Sequence, residues 1–399
     1  MRPISDGGDG VILNPHQLHS AVNRPPRRVL SWKRKLFLGL LISGLVLCIP
    51  EVVLRICLFE IAVPEPAVVC AWPAADQDMQ DLGYFLQPDK DCFYDLRPGA
   101  RYTYLGTPMD NINSRGFRGP VLAREHPNSV RIACFGDSST FGMCVSEELT
   151  WVRQLEGLLR ERNVGRGIET LNAGVIGYTV FQGQRKYRAK VRPYKPDVAV
   201  LAFGAINEQL PAVGGTDVER ASQWNSAFRM HTNSLAHYAW RLRTVQLLGQ
   251  GLLEARAQKR QESILRYQLN LAEFTRGESY QPRMSYEEFE QYLLDFVHEL
   301  RNDGCTPILV QPHRQKSTEQ RYPQVVPLSD VIRRIGASED VPLFDCQELF
   351  RRDPDYETAY FADTHHPNAT GNRVMAEALA EFLDSNLKQR LRGQVVSHE

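Results

Sequence analysis

From residue 128 onward, short apolar runs alternate with longer amphipathic stretches. Runs at 131–135, 169–172, 198–203, 307–311 and 342–345 have the length and composition of buried strands. Apolar residues recur at helical spacing over 147–162, 286–302, 329–335 and 373–387. This alternation predicts a parallel sheet with helices on both faces, where functional residues collect outside the carboxyl ends of the strands. Residues 209–282 exceed a minimal version of that plan, and 235–242 and 245–248 read as helical with aromatic and basic faces. Such stripes usually pack into a core, but an insertion at the mouth of a site is well placed to be a lid or wall, so a helical cap is expected.

The N-terminal pattern is different. Residues 1–35 are rich in Pro, Gly and Arg with little periodicity, as in a disordered basic tail. Residues 36–59 are almost continuously apolar, broken by Glu51 and Arg55. As a helix this segment would measure about 36 Å, enough for a hydrocarbon layer of about 30 Å. Glu51 and Arg55 stand four apart, so they can pair on one helix face, and Pro50 can kink the helix beside them. Arg24, Arg27, Arg28, Lys33, Arg34 and Lys35 precede the apolar run and would keep the N-terminus cytoplasmic. The rest of the chain is then extracytoplasmic, behind a single-pass anchor. A cleaved leader and a buried soluble helix are the alternatives; no small-x-small site follows closely, and Leu45-Val46-Leu47-Cys48 lacks the small residue of a lipoprotein box.

Candidate chemistry sits where strands are expected to end. Gly136-Asp137-Ser138-Ser139 follows the apolar run 130–135, and Asp363-Thr364-His365-His366-Pro367 precedes the last helical pattern. A serine hydroxyl needs a base to become a nucleophile and a third group to orient that base; Ser138, His366 and Asp363 supply all three. A tetrahedral intermediate also needs donors aimed at its oxyanion. The loops Asn172-Ala173-Gly174-Val175-Ile176-Gly177-Tyr178-Thr179 and Gly204-Ala205-Ile206-Asn207-Glu208, each after a strand-like run, suit that task. Taken singly, the serine reads as a helix N-cap, Asp-x-x-His as a surface turn and Asn207-Glu208 as an ordinary loop. Their joint placement favours catalysis.

With these residues the chain resembles the SGNH (GDSL-like) hydrolases. Ser138 matches the first block, Gly177 the second through Asn-x-x-x-x-Gly-x-Thr, with Gly174 the weaker choice, Asn207 the third, and Asp363 and His366 the Asp-x-x-His-Pro of the last. The resemblance implies a flavodoxin-like three-layer α/β/α domain with a parallel five-stranded sheet. It also implies a Ser138, His366, Asp363 triad and an oxyanion hole of the Ser138 and Gly177 N–H groups and the Asn207 amide. Two departures stand out: Gly-Asp-Ser-Ser replaces Gly-Asp-Ser-Leu, and Gly204 stands three before Asn207, so either Ala205 takes the glycine position or the loop is one residue longer. His365 is the rival imidazole, but its offset from Asp363 is wrong for the family, leaving solvent or substrate contact.

The expected layout is a tail (1–35), an anchor (36–59), a stalk or small β-rich lead-in (60–127), and an SGNH domain (128–390) carrying the insertion 209–282. The lead-in ends in Asn113-Ser114-Arg115-Gly116-Phe117-Arg118-Gly119, a stretch that membrane-anchored members also carry. Arg115 and Arg118 could meet an anionic substrate, with structural salt bridges the preferred use. Among 399 residues, 43% are hydrophobic and 24% charged, with 47 basic against 47 acidic side chains. This balance argues against a nucleic-acid partner, and no phosphate loop, His-Glu-x-x-His or zinc-spaced cysteines occur, so neither cofactor nor metal is expected. Cys48 and Cys57 fall in the anchor, Cys134, Cys305 and Cys346 in or beside expected strands, and Cys70 and Cys92 could pair in an oxidising compartment; Cys144 has no evident partner. His313 and Arg314, after the strand at 307–311, are candidate substrate contacts. The expected activity is hydrolysis of an acyl or acetyl ester on envelope glycan or lipid, with O-acyl transfer to polysaccharide as the alternative.

Overall fold

The computed structural model describes residues 31–57, 85–162 and 167–396, apart from residues 102, 105, 213–214, 222–223, 225–241 and 249–279. The chain divides into two compact units, Met1–Phe59 and Glu60–Glu399. The first contains helix α1 (Trp32–Ile56), which starts four residues before the expected span, includes Pro50, and pairs Arg55 Nε with Glu51 at 2.8 Å. Its apolar side chains, among them Leu36, Phe37, Leu40, Ile49 and Val53, are exposed. By length and composition α1 can cross a membrane.

In the second unit, β5 (Ser129–Gly136), β6 (Gly167–Asn172), β7 (Val198–Ala202), β8 (Thr306–Gln311) and β9 (Leu343–Asp345) form one parallel sheet in the order β6-β5-β7-β8-β9. Side chains along a strand alternate between faces. Ile132, Cys134, Val198, Val200, Ile308 and Val310 therefore meet α3 (Trp151–Arg162) and α7 (Ala369–Val396) in one apolar cluster with Trp151, Leu155, Leu159, Leu379 and Leu383. Ala133, Phe135, Ala199, Leu201 and Leu309 enter the other cluster, beside α4 (Val180–Lys186), α5 (Tyr286–Asn302) and α6 (Val326–Ser338). This is the doubly wound three-layer arrangement. Gly136 of β5 pairs beside Ala202 of β7, so the chain leaves two adjacent strands at one edge, where the winding reverses and a crevice opens.

Helix α5 covers the expected range, begun by a capping box of Ser285 and Glu288. Helix α6 begins before the expected 329–335 because Pro327 sits in its first turn, where no N–H is needed. Helix α4 and the short helices Lys316–Arg321, Cys346–Arg351 and Tyr356–Ala359 have no counterpart in the sequence expectations.

The described lead-in forms two small hairpins, β1 (Leu86–Asp89) with β2 (Phe93–Leu96) and β3 (Thr103–Tyr104) with β4 (Thr107–Pro108). Phe85, Phe93, Tyr94, Leu96, Met109, Ile112 and Phe117 share a cluster with Phe141, Tyr178 and Phe181 of the sheet domain. Cys92 lies buried there as a free thiol; Cys70, its expected partner, lies outside the described residues. The insertion leaves and rejoins the domain through a two-chain stem: Ala212 N–H donates to Gln281 O (2.7 Å), and Arg283 N–H to Leu210 O (2.9 Å). Most of the expected insertion helix at 235–242 falls outside the described residues, while 245–248 lies in the helix Arg243–Leu248.

Candidate active site

At the end of β5 the backbone turns sharply, and any Cβ on Gly136 would collide with Thr140 Oγ1 and Ala202 O. Asp137 caps the following short helix α2 (Ser138–Phe141) by accepting from Ser139 N–H at 2.8 Å. Ser138 is thereby held half-buried at that helix's first position. The helix's carbonyl end is clamped from the lead-in: Arg118 Nη1 donates to Phe141 O (3.0 Å) and Gly142 O (2.6 Å), and Nη2 to Val145 O (2.8 Å). Arg118 is thus a buried carbonyl clamp, lying 4.5 Å from the Phe141 ring centroid, in place of the expected salt bridge or substrate contact. Arg115 is exposed, 6.0 Å from the Tyr194 ring centroid. Asn172 Nδ2 donates to Thr140 O at 3.0 Å.

The last block makes a tight loop in which Ala362 N–H donates to His366 O at 2.9 Å. Asp363 Oδ1 accepts from the N–H groups of His365 (2.7 Å) and His366 (2.8 Å), and Oδ2 lies 2.6 Å from His366 Nδ1. His366 Nε2 lies 2.9 Å from Ser138 Oγ. Residues 228 positions apart therefore share one relay: with Nδ1–H donating to Asp363, Nε2 is free to accept the Ser138 hydroxyl proton. Burial alone would raise Asp363, but the His366 hydrogen bond and charge, with the two N–H donors, hold it well below the usual carboxylate range.

The loops expected to hold an oxyanion flank this relay. Gly177 takes a left-handed φ of 73°, and its carbonyl accepts from Arg283 Nη1 at 2.7 Å. Gly174 N–H donates to Asn172 Oδ1 at 3.0 Å. Asn207 is buried and its Nδ2 donates to Asp137 Oδ2 at 2.8 Å, joining the third block to the first. Gly204 has a left-handed φ of 90°, and a Cβ there would press on Ile332 and Phe289. Next to Asn207, buried Glu208 accepts from Val180 N–H at 3.3 Å, and burial lifts its carboxyl to about 7. Burial also raises Asp137.

His313 and Arg314, expected at the substrate, are 5% and 4% exposed. His313 stacks on Phe350 at 5.1 Å with Nδ1 3.7 Å from Cys346 Sγ, and burial lowers it to about 3. Arg314 donates to Gly204 O at 2.7 Å and to Ser329 Oγ and pairs with Glu319 at 3.3 Å. Both side chains have partners inside the domain, His313 against Phe350 and Cys346, and Arg314 on the Gly204 loop. His365 stands beside the relay, ring centroid 6.3 Å from that of His366, with Nδ1 2.6 Å from Thr364 Oγ1; burial lowers it to about 4. His366, not His365, makes the Ser138 contact.

The family described as GDSL-like lipase/acylhydrolase matches residues 134–374, more than half of the chain. The chain belongs to this family. As a GDSL-like acylhydrolase it is an ester-hydrolysing enzyme. Its fold is similar to those of a lipase/acylhydrolase from Enterococcus faecalis (17% identity, TM-score 0.42, covering 64% of this chain and 96% of that one), and an acetylxylan esterase from Geobacillus stearothermophilus (17% identity, TM-score 0.40, 65% and 96%). It also resembles a putative lipolytic protein of the G-D-S-L family from Desulfitobacterium hafniense (14% identity, TM-score 0.40, 64% and 99%). No curated protein matches it.

Two neighbours of the hydrolase relay were not expected from sequence. Tyr104 Oη lies 3.4 Å and Cys144 Sγ 3.7 Å from Asp363 Oδ2. Among the described residues, Cys144, Asp363 and His366 also form the one group whose ligand-type atoms come within 4.8 Å of one another, the spacing a metal ion needs. In this arrangement those atoms hydrogen-bond to one another. The sequence did hold a faint signal for Cys144, a cysteine with no evident partner six residues after Ser138.

Proposed function

We propose that this hydrolase acts through Ser138 as nucleophile, His366 as general base and acid, and Asp363 as the group that orients His366. The reading rests on the continuous relay from Ser138 Oγ through His366 to Asp363, at 2.9 and 2.6 Å. Ser138 Oγ attacks the acyl carbon while its proton passes to His366 Nε2. The tetrahedral oxyanion takes hydrogen bonds from the Ser138 and Gly177 N–H groups and from the Asn207 amide, which keeps one hydrogen beyond that given to Asp137. Collapse expels the alcohol, which carries the proton away from His366 and leaves an acyl-Ser138. Water then attacks that ester, giving its proton to His366, and the acid departs as Ser138 regains its hydrogen.

The substrate we infer is an acyl or acetyl ester on an envelope glycan or lipid. The exposed apolar surface of α1, preceded by Lys33, Arg34 and Lys35, supports a single-pass anchor with its N-terminus in the cytoplasm and the hydrolase domain outside. Residues 1–35 are then the cytoplasmic tail and 209–282 an insertion at the mouth of the site. Ser138→Ala tests the chemistry: hydrolysis of a short-chain p-nitrophenyl ester should fall by on the order of a thousandfold or more with unchanged melting temperature. Undiminished turnover would remove Ser138 from the mechanism. Compartment-specific reporters fused at Glu399 test the topology, and a reporter active only in the cytoplasm would reverse it.

A further inference from the structure

The lead-in reaches the relay at its outer end. Hairpin β3–β4 places Tyr104 Oη 3.4 Å from Asp363 Oδ2 and sets the Tyr104 ring edge-on to the His366 ring, centroids 6.2 Å apart. The loop after the nucleophile helix brings Cys144 Sγ to 3.7 Å from the same oxygen. Cys144 has φ 71°, a left-handed conformation that costs a non-glycine residue free energy. The carbonyls on either side of it, Gly142 O and Val145 O, are gripped by Arg118 of the lead-in, so the strained position is imposed from outside the loop.

Resting on the triad reading above, we propose that Tyr104 and Cys144 are positioning residues for the Asp363–His366 pair. Their two donors share the charge of Asp363 Oδ2 and hold that carboxylate in place, so that it orients His366 toward Ser138 without clamping the imidazolium too tightly. The thiol stays protonated to do this, since burial and the adjacent Asp363 charge push it far up. The other titratable groups facing His366 are Asp137, His313 and His365. Burial lowers the two imidazoles to about 3 and about 4, so neither changes charge near neutrality. Arg321 faces His365 in turn. A carboxylate that loses donors attracts the imidazolium more strongly, so deleting either donor should move the acid limb of activity upward in pH.

The experiment is the pH profile of kcat/KM for p-nitrophenyl acetate with the purified full chain. Tyr104→Phe keeps the ring and deletes the hydroxyl; the midpoint of its acid limb should rise by about half a pH unit. Cys144→Gly deletes the thiol while relieving the left-handed strain, so it should shift the limb less without lowering the melting temperature. The double variant should shift it by about one unit, and Cys144→Ser, which keeps a donor, should sit near the parent. An unmoved limb in the double variant, or a uniform loss at every pH with a lower melting temperature, overturns the proposal. His366→Gln separates the two readings: if it keeps activity and limb, the triad itself fails and this proposal with it. If it abolishes activity while Tyr104→Phe leaves the limb in place, only this proposal fails.

Discussion

The two faces of the central sheet are built on different principles. Against one face, α3 and α7 bury Trp151, Leu155, Leu159, Leu379 and Leu383, with Glu156 and Asn372 among the few polar members. Asn372 Oδ1 caps α3 through Trp151 N–H at 2.9 Å. Against the other face, α4 carries buried Gln182, Gln184 and Lys186, the first and last partnered by the lead-in and Gln184 by Glu299 of α5. Lys186 Nζ lies 2.7 Å from Asp95 Oδ1, and Lys190 Nζ 2.6 Å from Asp95 Oδ2. Arg283 bridges Asp217 at 2.8 Å, Gln182 at 2.7 Å and Gly177 O at 2.7 Å, while Tyr94 Oη donates to Ile176 O at 3.1 Å. The apolar face stabilises; the polar face also fixes the loop that supplies Gly177. A buried polar network has few alternative arrangements in which every group is satisfied, so it specifies a geometry that oil-like packing would leave looser.

That difference can be broken most forcefully at Asp95. Asp95→Ala leaves Lys186 buried without its partner, an error that typically costs about 3–5 kcal/mol. Leu155→Ala on the opposite face opens a cavity worth about 2–5 kcal/mol. Denaturant unfolding should show losses of similar size in the two variants. Esterase activity of the folded fraction should separate them: Leu155→Ala should keep near-parental kcat, whereas Asp95→Ala should lose it as the Gly177 loop loosens. Equal specific activity in the two variants would mean that the polar face is not coupled to the site.

The same contrast explains what the sequence revealed. Helices α3, α5 and α7 were legible because each keeps one apolar stripe facing the sheet and a polar face toward solvent. Helix α4 was not, since Gln182, Gln184 and Lys186 have the polar pattern of a solvated face until their distant partners Cys92 O, Glu299 and Asp95 are known. The strands of the sheet were legible as apolar runs, and Ser138, Asp363 and His366 through their spacing and blocks. Tyr104 and Cys144 carried no motif because their role exists only where three distant loops converge. The burial of His313 and Arg314 had no local signature, because the Phe350 ring stacked on His313 and the Ser329 and Glu319 partners of Arg314 all come from later in the chain.

A smaller expected effect sharpens the comparison at the junction between polar face and relay. Asn207→Ala removes an amide that we assign to the oxyanion and that also donates to Asp137. Loss of such a donor typically costs about 3 kcal/mol in the transition state, roughly a hundredfold in kcat, with little change in KM. A loss confined to KM would place Asn207 in substrate binding instead.

Glu208 offers the finest test, because one buried carboxyl there changes its charge between acid and neutral pH. Its folded carboxyl is raised to about 7 from an ordinary 4.5, chiefly by burial, with Asp137 nearby adding to the rise. Between those values the folded chain holds a proton that the unfolded chain releases, so stability is greatest below about 4.5, declines as pH rises toward 7, and levels off above it. Gln at this position resembles the protonated acid and can still accept from Val180 N–H. Glu208→Gln should therefore match the parent near pH 4 and exceed it by about 3 kcal/mol at pH 8. Thermal unfolding at the two pH values measures this directly. A variant less stable than the parent at pH 8 would mean that the ionised carboxylate, through Arg283, contributes more than its burial costs, and the polar face would then be stabilising as well as specifying.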